Sequence, residues 1–153
     1  MDRCMIREES IDTPEARAIL SELSERLAAL TGDSGNHSFH PEDIDGSLRS
    51  FFVVARENGV AVACGAVREY SLDTGEIKRL YSRVERSGNG SLVLAFLEAD
   101  AKARGYRRLI LSTRRKNAAA VGFYEKNGYV RIPNFGIYAD RPESVCMEKI
   151  LVR

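Results

Sequence analysis

The 153-residue sequence predicts an α/β fold, a mixed β-sheet with helices on both faces. Two strand-like segments, 50–56 and 60–69, meet at Asn58 and Gly59, the dipeptide that most strongly favours an antiparallel hairpin. A strand, a long helix and another strand then follow over residues 76–112. A crossover of this length joins parallel strands, so the sheet contains both kinds of pairing.

The other elements follow from apolar periodicity and from the signals at helix ends. Asp12 is the expected N-cap of a first helix, whose apolar residues recur at helical spacing from Ala16 to Leu30. The polar stretch 31–47 is long enough for a functional loop or a short second helix. The remaining predicted elements are strands at 3–8, 76–82, 108–112, 129–132 and 144–151, and helices at 90–104 and 117–126.

Length and composition indicate one ordered domain over residues 1–153, since 44% of the residues are hydrophobic and 29% are charged. The net charge of +1 gives no basic field, which argues against nucleic acid as a partner. Three cysteines, far apart and odd in number, favour a reducing compartment over a disulfide framework or a zinc site. No apolar run reaches the length of a signal core or membrane span, so we expect a cytoplasmic protein without a membrane partner.

Gly88 and Gly90 lie in a polar turn between a strand and a long helix. The unpaired N–H groups and the dipole of a helix N-terminus favour an anion there. The turn differs from a dinucleotide fingerprint, because Val93 replaces the third glycine, and it lacks the Gly-Lys-Ser/Thr of a P-loop. A plain turn at a helix start remains the alternative.

Three segments in order extend this pattern: GEIKRLY from Gly75, SGNGSLVLAFLEADAKARGYRRLIL from Ser87, and NAAAVGFYEKNGY from Asn117. Together they resemble the GNAT superfamily of acetyl-CoA-dependent N-acetyltransferases. They are similar to that family's central strand, its pyrophosphate loop with the following helix and strand, and its Asn-to-Tyr helix. The resemblance implies a sheet splayed between its two parallel central strands, which admits the arm of the cofactor.

The resemblance also implies acetyl-CoA as a co-substrate, with no metal. The N–H groups from Ser87 to Ser91 would hold the pyrophosphate, and the pantetheine arm would run along the backbone of Leu80–Ser82. Asn117 would bind that arm from the other side, a role compatible with capping the next helix. The implied cofactor-binding residues are Leu80, Tyr81, Ser82, Arg86, Ser87, Gly88, Asn89, Gly90, Ser91, Asn117 and Tyr124.

One position departs from the family pattern. Glu85 stands where the family usually places Arg or Gln, three residues before the first glycine. Arg83 and Arg86 are the candidates to replace the missing cation. We therefore expect a slightly altered phosphate loop, with cofactor affinity as the property most affected.

Three groups are the predicted catalytic machinery. Glu76 is the candidate base, four residues before Leu80 on the same strand face and about 13 Å from it, which favours action through a water. The alternative is an exposed strand-end carboxylate paired with Lys78 or Arg79. The backbone N–H of Leu80 would polarise the thioester carbonyl. Tyr124 is the candidate acid for the departing thiolate; its alternative is an aromatic residue packing on the sheet.

Residues of two loops are predicted to form the acceptor side. Phe39, Phe135 and Tyr138 are expected to line the acceptor pocket, although a packed hairpin loop would also explain the last two. A metal site at His37, His40, Asp43 and Asp45 is disfavoured, because convergence on one ion is not indicated. Cys64 lies within a core strand pattern, which argues against a nucleophile.

These features predict an N-acetyltransferase that acts by direct attack in a ternary complex, without an acyl-enzyme. The expected acceptor is a primary amine of a small molecule, amino acid or peptide, and the protein would be a monomer or homodimer. Two alternatives remain open. One is a different acyl donor; the other is a CoA-binding regulatory or partner-binding module with weak or no catalysis.

Overall fold

The structure is a computed structural model that describes residues 4–35, 39–45 and 49–151, without the side chain of Asp45. Its seven strands form one mixed sheet in the order β1-β2-β3-β4-β5-β7-β6, which confirms the predicted fold class. The strands are β1 Cys4–Glu8, β2 Phe51–Glu57, β3 Val60–Glu69, β4 Thr74–Ser82, β5 Arg108–Arg114, β6 Val130–Ile132 and β7 Ser144–Ile150. The described helices are α1 Pro14–Thr31, α2 Glu42–Asp45, α3 Asn89–Ala103 and α4 Ala118–Lys126, and a 3-10 turn covers Gly136–Tyr138.

The pairing agrees with the two observations that predicted a mixed sheet. Strands β2 and β3 form an antiparallel hairpin, and its two turn residues Asn58 and Gly59 have φ angles of 52° and 83°. Both values are positive, as a type I′ turn requires. Strands β4 and β5 are the parallel pair, joined by α3 as the crossover helix.

The start of α1 corrects one prediction. Thr13, not Asp12, is the N-cap, since its side-chain oxygen accepts a hydrogen bond from the Ala16 N–H at 3.0 Å. Pro14 has no N–H and suits the first helical turn, so the cap falls on the residue directly before it. The Asp12 carboxylate instead pairs with Arg17.

The sheet separates two apolar clusters. One lies under α3 and α4 and includes Val93 and Leu97, and the other lies under α1 and includes Ile19 and Cys64. Complete burial raises the pKa of the Cys64 thiol to about 12, so it stays neutral at physiological pH. This placement confirms Cys64 as a core residue.

None of the helices in residues 4–35, 39–45 and 49–151 is both long and apolar enough to cross a lipid bilayer. The three cysteines are all free thiols, two of them buried.

Candidate active site

A β-bulge in β4 shapes the centre of the sheet. Cys64 pairs with Tyr81 and Ala66 pairs with Lys78, so Arg79 and Leu80 together oppose the single residue between them on β3. Arg79 takes a φ of 59°, a left-handed conformation that is uncommon outside glycine. The extra residue reverses the alternation of side chains in the last part of β4.

The parallel strands separate just before this bulge. Pairing of β4 with β5 covers only Thr74, Gly75 and Glu76 on the β4 side, although both strands continue well beyond it. A cavity of about 160 Å³, called here the central cavity, opens between residues 77–80 of β4 and 111–114 of β5. The splayed sheet that the family resemblance implies is therefore present.

A larger opening of about 1010 Å³ lies on the α3 and α4 side and is called here the cofactor-side cleft. The turn between β4 and α3 forms one wall and α4 forms the other. Nine of the eleven residues predicted to bind the cofactor line this cleft. They are Leu80, Tyr81, Ser82, Arg86, Ser87, Gly88, Gly90, Ser91 and Tyr124.

The two other predicted cofactor residues lie elsewhere. Asn89 is buried at the start of α3, where its N–H donates to the Ser87 hydroxyl at 3.3 Å. Asn117 lines the central cavity and caps α4, accepting a hydrogen bond from the Ala120 N–H at 3.2 Å. The capping alternative for Asn117 is thus confirmed. Its side-chain NH₂ group remains available for a ligand in the cavity.

The turn itself is held in a tight conformation. The hydroxyl groups of Ser82 and Ser87 both donate to the Val84 carbonyl, at 2.9 and 2.7 Å. Gly88, with a φ of 86°, is the N-cap of α3, and no side chain caps the helix. Apart from the Asn89 N–H, which donates to Ser87, the first-turn N–H groups of α3 at Gly90 and Ser91 have no side-chain acceptor among the described residues, and both residues line the cleft. This arrangement favours a bound phosphate.

The charged residues of this turn have distinct surroundings. Arg83 is directed away from the cleft, with its Nε 3.2 Å from both oxygens of Glu22 and its Nη1 donating to the Ala61 carbonyl. Arg86 and Glu85 are exposed and line the cleft, and Arg86 forms no ion pair with a described residue. Of the two candidate cations, only Arg86 lies where a phosphate would bind.

Glu76 is 1% exposed, so the alternative of an exposed strand-end carboxylate is wrong about exposure, although the pairing with Lys78 that it included is present. Its Oε1 accepts a hydrogen bond from Arg68 Nη2 at 2.7 Å, and its Oε2 lies 3.7 Å from Lys78 Nζ. The prediction that it shares a face with Leu80 is also wrong. Glu76 lies on the α1 and α2 face, whereas Leu80 packs against the cluster under α3, because the bulge intervenes.

Tyr124 lines both the central cavity and the cofactor-side cleft, at 8% exposure. Its ring packs edge-on against Phe123 and Tyr129, and its hydroxyl forms no hydrogen bond with a described residue. Burial raises the pKa of Tyr124 far above its usual value, so the hydroxyl keeps its proton. The Tyr124 hydroxyl is thus a proton donor between the two openings that has no acceptor among the described residues.

The three predicted acceptor residues divide between two openings. Phe39 is buried in the wall of the central cavity, with the Arg79 guanidinium 5.7 Å from its ring centre. Phe135 and Tyr138 form an edge-to-face pair and line a third opening of about 390 Å³, called here the outer pocket. Tyr138 also lines the central cavity, and Glu76 lines the outer pocket.

Two of the residues considered for a metal site, His40 and Asp43, form hydrogen bonds within the protein. The Asp43 carboxylate accepts hydrogen bonds from Arg68 Nη1 at 2.7 Å and from the His40 N–H at 3.0 Å. Within the described residues, no three His, Cys, Asp or Glu side chains come together as a metal site. His37 and the side chain of Asp45 lie outside what the structure describes.

Several charged residues of the site were not found from the sequence. Lys78 donates from Nζ to the Tyr138 hydroxyl at 2.9 Å, and Arg114 forms an ion pair with Asp33 at 2.7 Å. Arg141, from the loop before β7, also lines the central cavity. No local pattern marks these residues, because they converge from segments far apart in the chain.

Residues 16–129 match the family model described as "Acetyltransferase (GNAT) family". The IAA acetyltransferase of Azospirillum brasilense is 32% identical over 140 residues, which cover 87% of this chain and 88% of that protein. The chain belongs to the GNAT acetyltransferase family, which uses acetyl-CoA, and it is a GNAT-type N-acetyltransferase.

Solved structures extend the similarity to the whole fold. A Klebsiella pneumoniae protein assigned to the acyl-CoA N-acyltransferases superimposes with a TM-score of 0.81 at 29% identity, covering 97% of this chain and 98% of that one. The PaiA N-acetyltransferase of Thermoplasma acidophilum, solved in complex with coenzyme A, gives a TM-score of 0.70 at 18% identity, covering 97% and 99%.

Proposed function

We propose that this chain, as a single domain over residues 1–153, transfers the acetyl group of acetyl-CoA to a primary amine by direct attack in a ternary complex. The observation that carries the proposal is that three neighbouring openings share lining residues. Leu80, Ala120 and Tyr124 line both the cofactor-side cleft and the central cavity, and Tyr138 lines both the central cavity and the outer pocket. Donor and acceptor can therefore enter from opposite sides and meet between β4 and β5.

The cofactor-side cleft fits the phosphate end of CoA. The uncapped N-terminus of α3, the tight turn before it and Arg86 supply donors and positive charge for a pyrophosphate. The cleft also reaches Leu80 and Tyr124, where the backbone of β4 has left its pairing with β5. Asn117, in the wall of the central cavity, is assigned to hydrogen-bond the pantetheine amides.

Bound acetyl-CoA supplies a thioester carbonyl that an amine can attack. We assign the Leu80 N–H to polarise that carbonyl, since the bulge leaves Leu80 without a register partner on β3 or β5. As the new C–N bond forms and the C–S bond breaks, Tyr124 donates its proton to the CoA sulfur. Since a thiol has a pKa near 8.5, this proton transfer contributes modestly.

Glu76 is assigned to receive the amine proton through water in the outer pocket. A base is needed most for an alkyl amine, because deprotonation at pH 7 costs about 4.6 kcal/mol for a pKa near 10.4. For an α-amine with a pKa near 7.8 the cost is only about 1 kcal/mol. The acceptors that fit this arrangement are primary amines of small molecules, amino acids or peptides.

Direct attack is supported by the surroundings of the Cys64 thiol. Cys64 is fully buried on the α1 face, with its Sγ 3.5 Å from the Arg79 carbonyl oxygen, and it lines none of the three openings. A thiol in this setting cannot reach a thioester at the mouth of the cleft.

Two measurements test the proposal. Calorimetry with acetyl-CoA and with CoA should show binding, and the absence of binding would remove the cofactor assignment. A thiol-release assay over alkyl amines, amino acids and peptides should then show turnover with at least one class. Binding of CoA without thiol release from any amine would instead support a CoA-binding regulatory or partner-binding module.

A further inference from the structure

The central cavity has an uneven charge. Among the described residues of its wall, four side chains are cationic and one, Asp33, is a carboxylate. The four cations are Lys78, Arg79, Arg114 and Arg141. A cavity of this kind favours an anionic group on its ligand.

Protein groups already engage three of the four cations. Arg114 is paired with Asp33 at 2.7 Å. Lys78 donates to the Tyr138 hydroxyl and lies 3.7 Å from Glu76. Arg79 donates to the Ser34 carbonyl at 3.2 Å and to the Ser24 hydroxyl at 3.0 Å.

Arg141 differs from the other three. Its guanidinium forms no ion pair with a described residue, and its carbon atom lies 5.9 Å from the centre of the Tyr138 ring. The guanidinium is half-buried and borders the cavity, so its positive charge is partly withdrawn from water. A guanidinium binds a carboxylate through two parallel hydrogen bonds, which makes Arg141 a preformed receptor for that group.

The backbone of Arg141 is held in place by three hydrogen bonds. Its N–H donates to the Tyr138 carbonyl at 3.0 Å, and its carbonyl accepts from the Ser144 N–H and from Asn134 Nδ2, each at 3.0 Å. The side chain therefore starts from a fixed point in a loop that otherwise has little regular structure. Binding an anion here costs less ordering entropy than binding at a loose loop.

We infer that the acceptor is a small amine that also carries a carboxylate, such as an amino acid, and that Arg141 binds this carboxylate. The inference rests on the proposed acetyl transfer and narrows its acceptor. A volume of about 160 Å³ leaves room for a small group only, below the range of about 300–1000 Å³ usual for larger ligands. The surrounding cations also disfavour the ammonium form of the acceptor, which promotes the neutral amine that attacks.

The first test measures binding separately from turnover. The melting temperature of the CoA-saturated protein is recorded with each common L-amino acid and with the matching amino acid amide, which keeps the amine and removes the carboxylate. At least one acid should raise the melting temperature while its amide does not. Equal shifts for acids and amides, or no shift for any acid, would overturn the inference.

Variants then assign the effect to Arg141. Arg141→Gln should weaken binding of the acid about ten- to hundredfold, with CoA binding unchanged. Arg141→Lys should restore part of it, since the charge remains but the two parallel hydrogen bonds do not. Arg131→Gln is the matched control, because Arg131 is an exposed arginine on edge strand β6 whose partner is Glu125. Unchanged acid binding in Arg141→Gln would overturn the assignment.

The same variants separate this inference from the proposed function. If no amine releases thiol and CoA does not bind, the proposed function fails. If alkyl amines that lack a carboxylate are acetylated at the same rate as amino acids, and Arg141→Gln does not change these rates, the function holds and the carboxylate inference fails. If phosphoethanolamine raises the melting temperature and no amino acid does, the carboxylate inference also fails, and the anionic group of the acceptor is a phosphate.

Discussion

Glu76 and Leu80 lie on opposite faces of the sheet, although they are four residues apart on one strand. Glu76 pairs with Arg68 under α2, and Leu80 packs near Val93 and Leu97 of α3. The bulge at Arg79 adds one residue between them and reverses the alternation. The Glu76 carboxylate thus lies on one face of the sheet, whereas the Leu80 N–H, as a backbone group, lies in its plane.

Glu76→Gln should lower kcat/KM about a hundredfold, the loss being greatest below the pKa of the acceptor amine. At those pH values the amine is charged, and it needs a base before it can attack. The measurement is a pH profile of thiol release. A loss of the same size at every pH would count against Glu76 as a base.

Arg68→Gln is the control for this variant. It breaks the same ion pair but keeps the carboxylate, so it should lower the melting temperature and should retain more thiol release below the amine pKa than Glu76→Gln does. A profile altered in the same way as in Glu76→Gln would show that the ion pair, and not the base, sets the pH dependence.

Tyr124→Phe should slow turnover about tenfold and leave the melting temperature nearly unchanged. The hydroxyl forms no hydrogen bond with a described residue, so its removal leaves no buried partner unsatisfied. Single-turnover kinetics with acetyl-CoA separate this effect from product release. Turnover at the rate of the unmodified protein would remove Tyr124 from the mechanism.

Arg86→Gln should weaken CoA binding about fivefold, because one partly solvated cation near a phosphate contributes about 1 kcal/mol. Arg83→Gln serves for comparison and should instead lower stability with little effect on CoA, since Arg83 pairs with Glu22 away from the cleft. Glu85→Gln should strengthen binding by removing a negative charge from the cleft. Calorimetry measures the CoA affinity of all three variants. Equal losses of affinity in Arg83→Gln and Arg86→Gln would contradict the assignment of Arg86 as the phosphate-binding cation.

Gly75→Ala should destabilise the protein by about 1–3 kcal/mol. A Cβ at Gly75 would lie 2.7 Å from Val67 Cγ1 and 3.0 Å from Leu109 Cδ2, within the short parallel pairing of β4 and β5. Gly122→Ala is the matched control, since its Cβ meets nothing within 4 Å and a helix favours alanine. The free energy of unfolding, measured in urea, should decrease in Gly75→Ala and increase in Gly122→Ala. A Gly75→Ala protein as stable as the unmodified protein would contradict this packing.

Stability should fall steeply at alkaline pH, in part through Cys64. Burial raises its pKa from 9.0 to about 12, so the unfolded chain loses this proton first and stability declines between those values. One such group contributes about 1.4 kcal/mol per pH unit. Unfolding free energies measured across this range should fall less steeply in Cys64→Ala than in the unmodified protein. Parallel slopes would show that Cys64 does not carry this effect.

Local signals in the sequence determined the elements and the class of site. Asn58 and Gly59 alone specify a hairpin, because a type I′ turn needs two residues that tolerate positive φ. Similarly, the apolar spacing after Gly90 specifies a helix, and the turn before it specifies an uncapped N-terminus. These features depend on residues within a few positions of one another, so they can be predicted without the fold.

The tertiary structure alone decided the bulge, the burial of Glu76 and the placement of Arg141. The bulge depends on how β3 and α3 pack around Leu80. This packing is close at Gly65, where a Cβ atom would lie only 3.2 Å from Leu80 Cδ1. Glu76 is buried because Arg68 and Lys78 supply its counter-charges across and along the sheet. Such contacts join segments that are distant in the chain, and their geometry is set by packing and by charge compensation, which no short sequence pattern encodes.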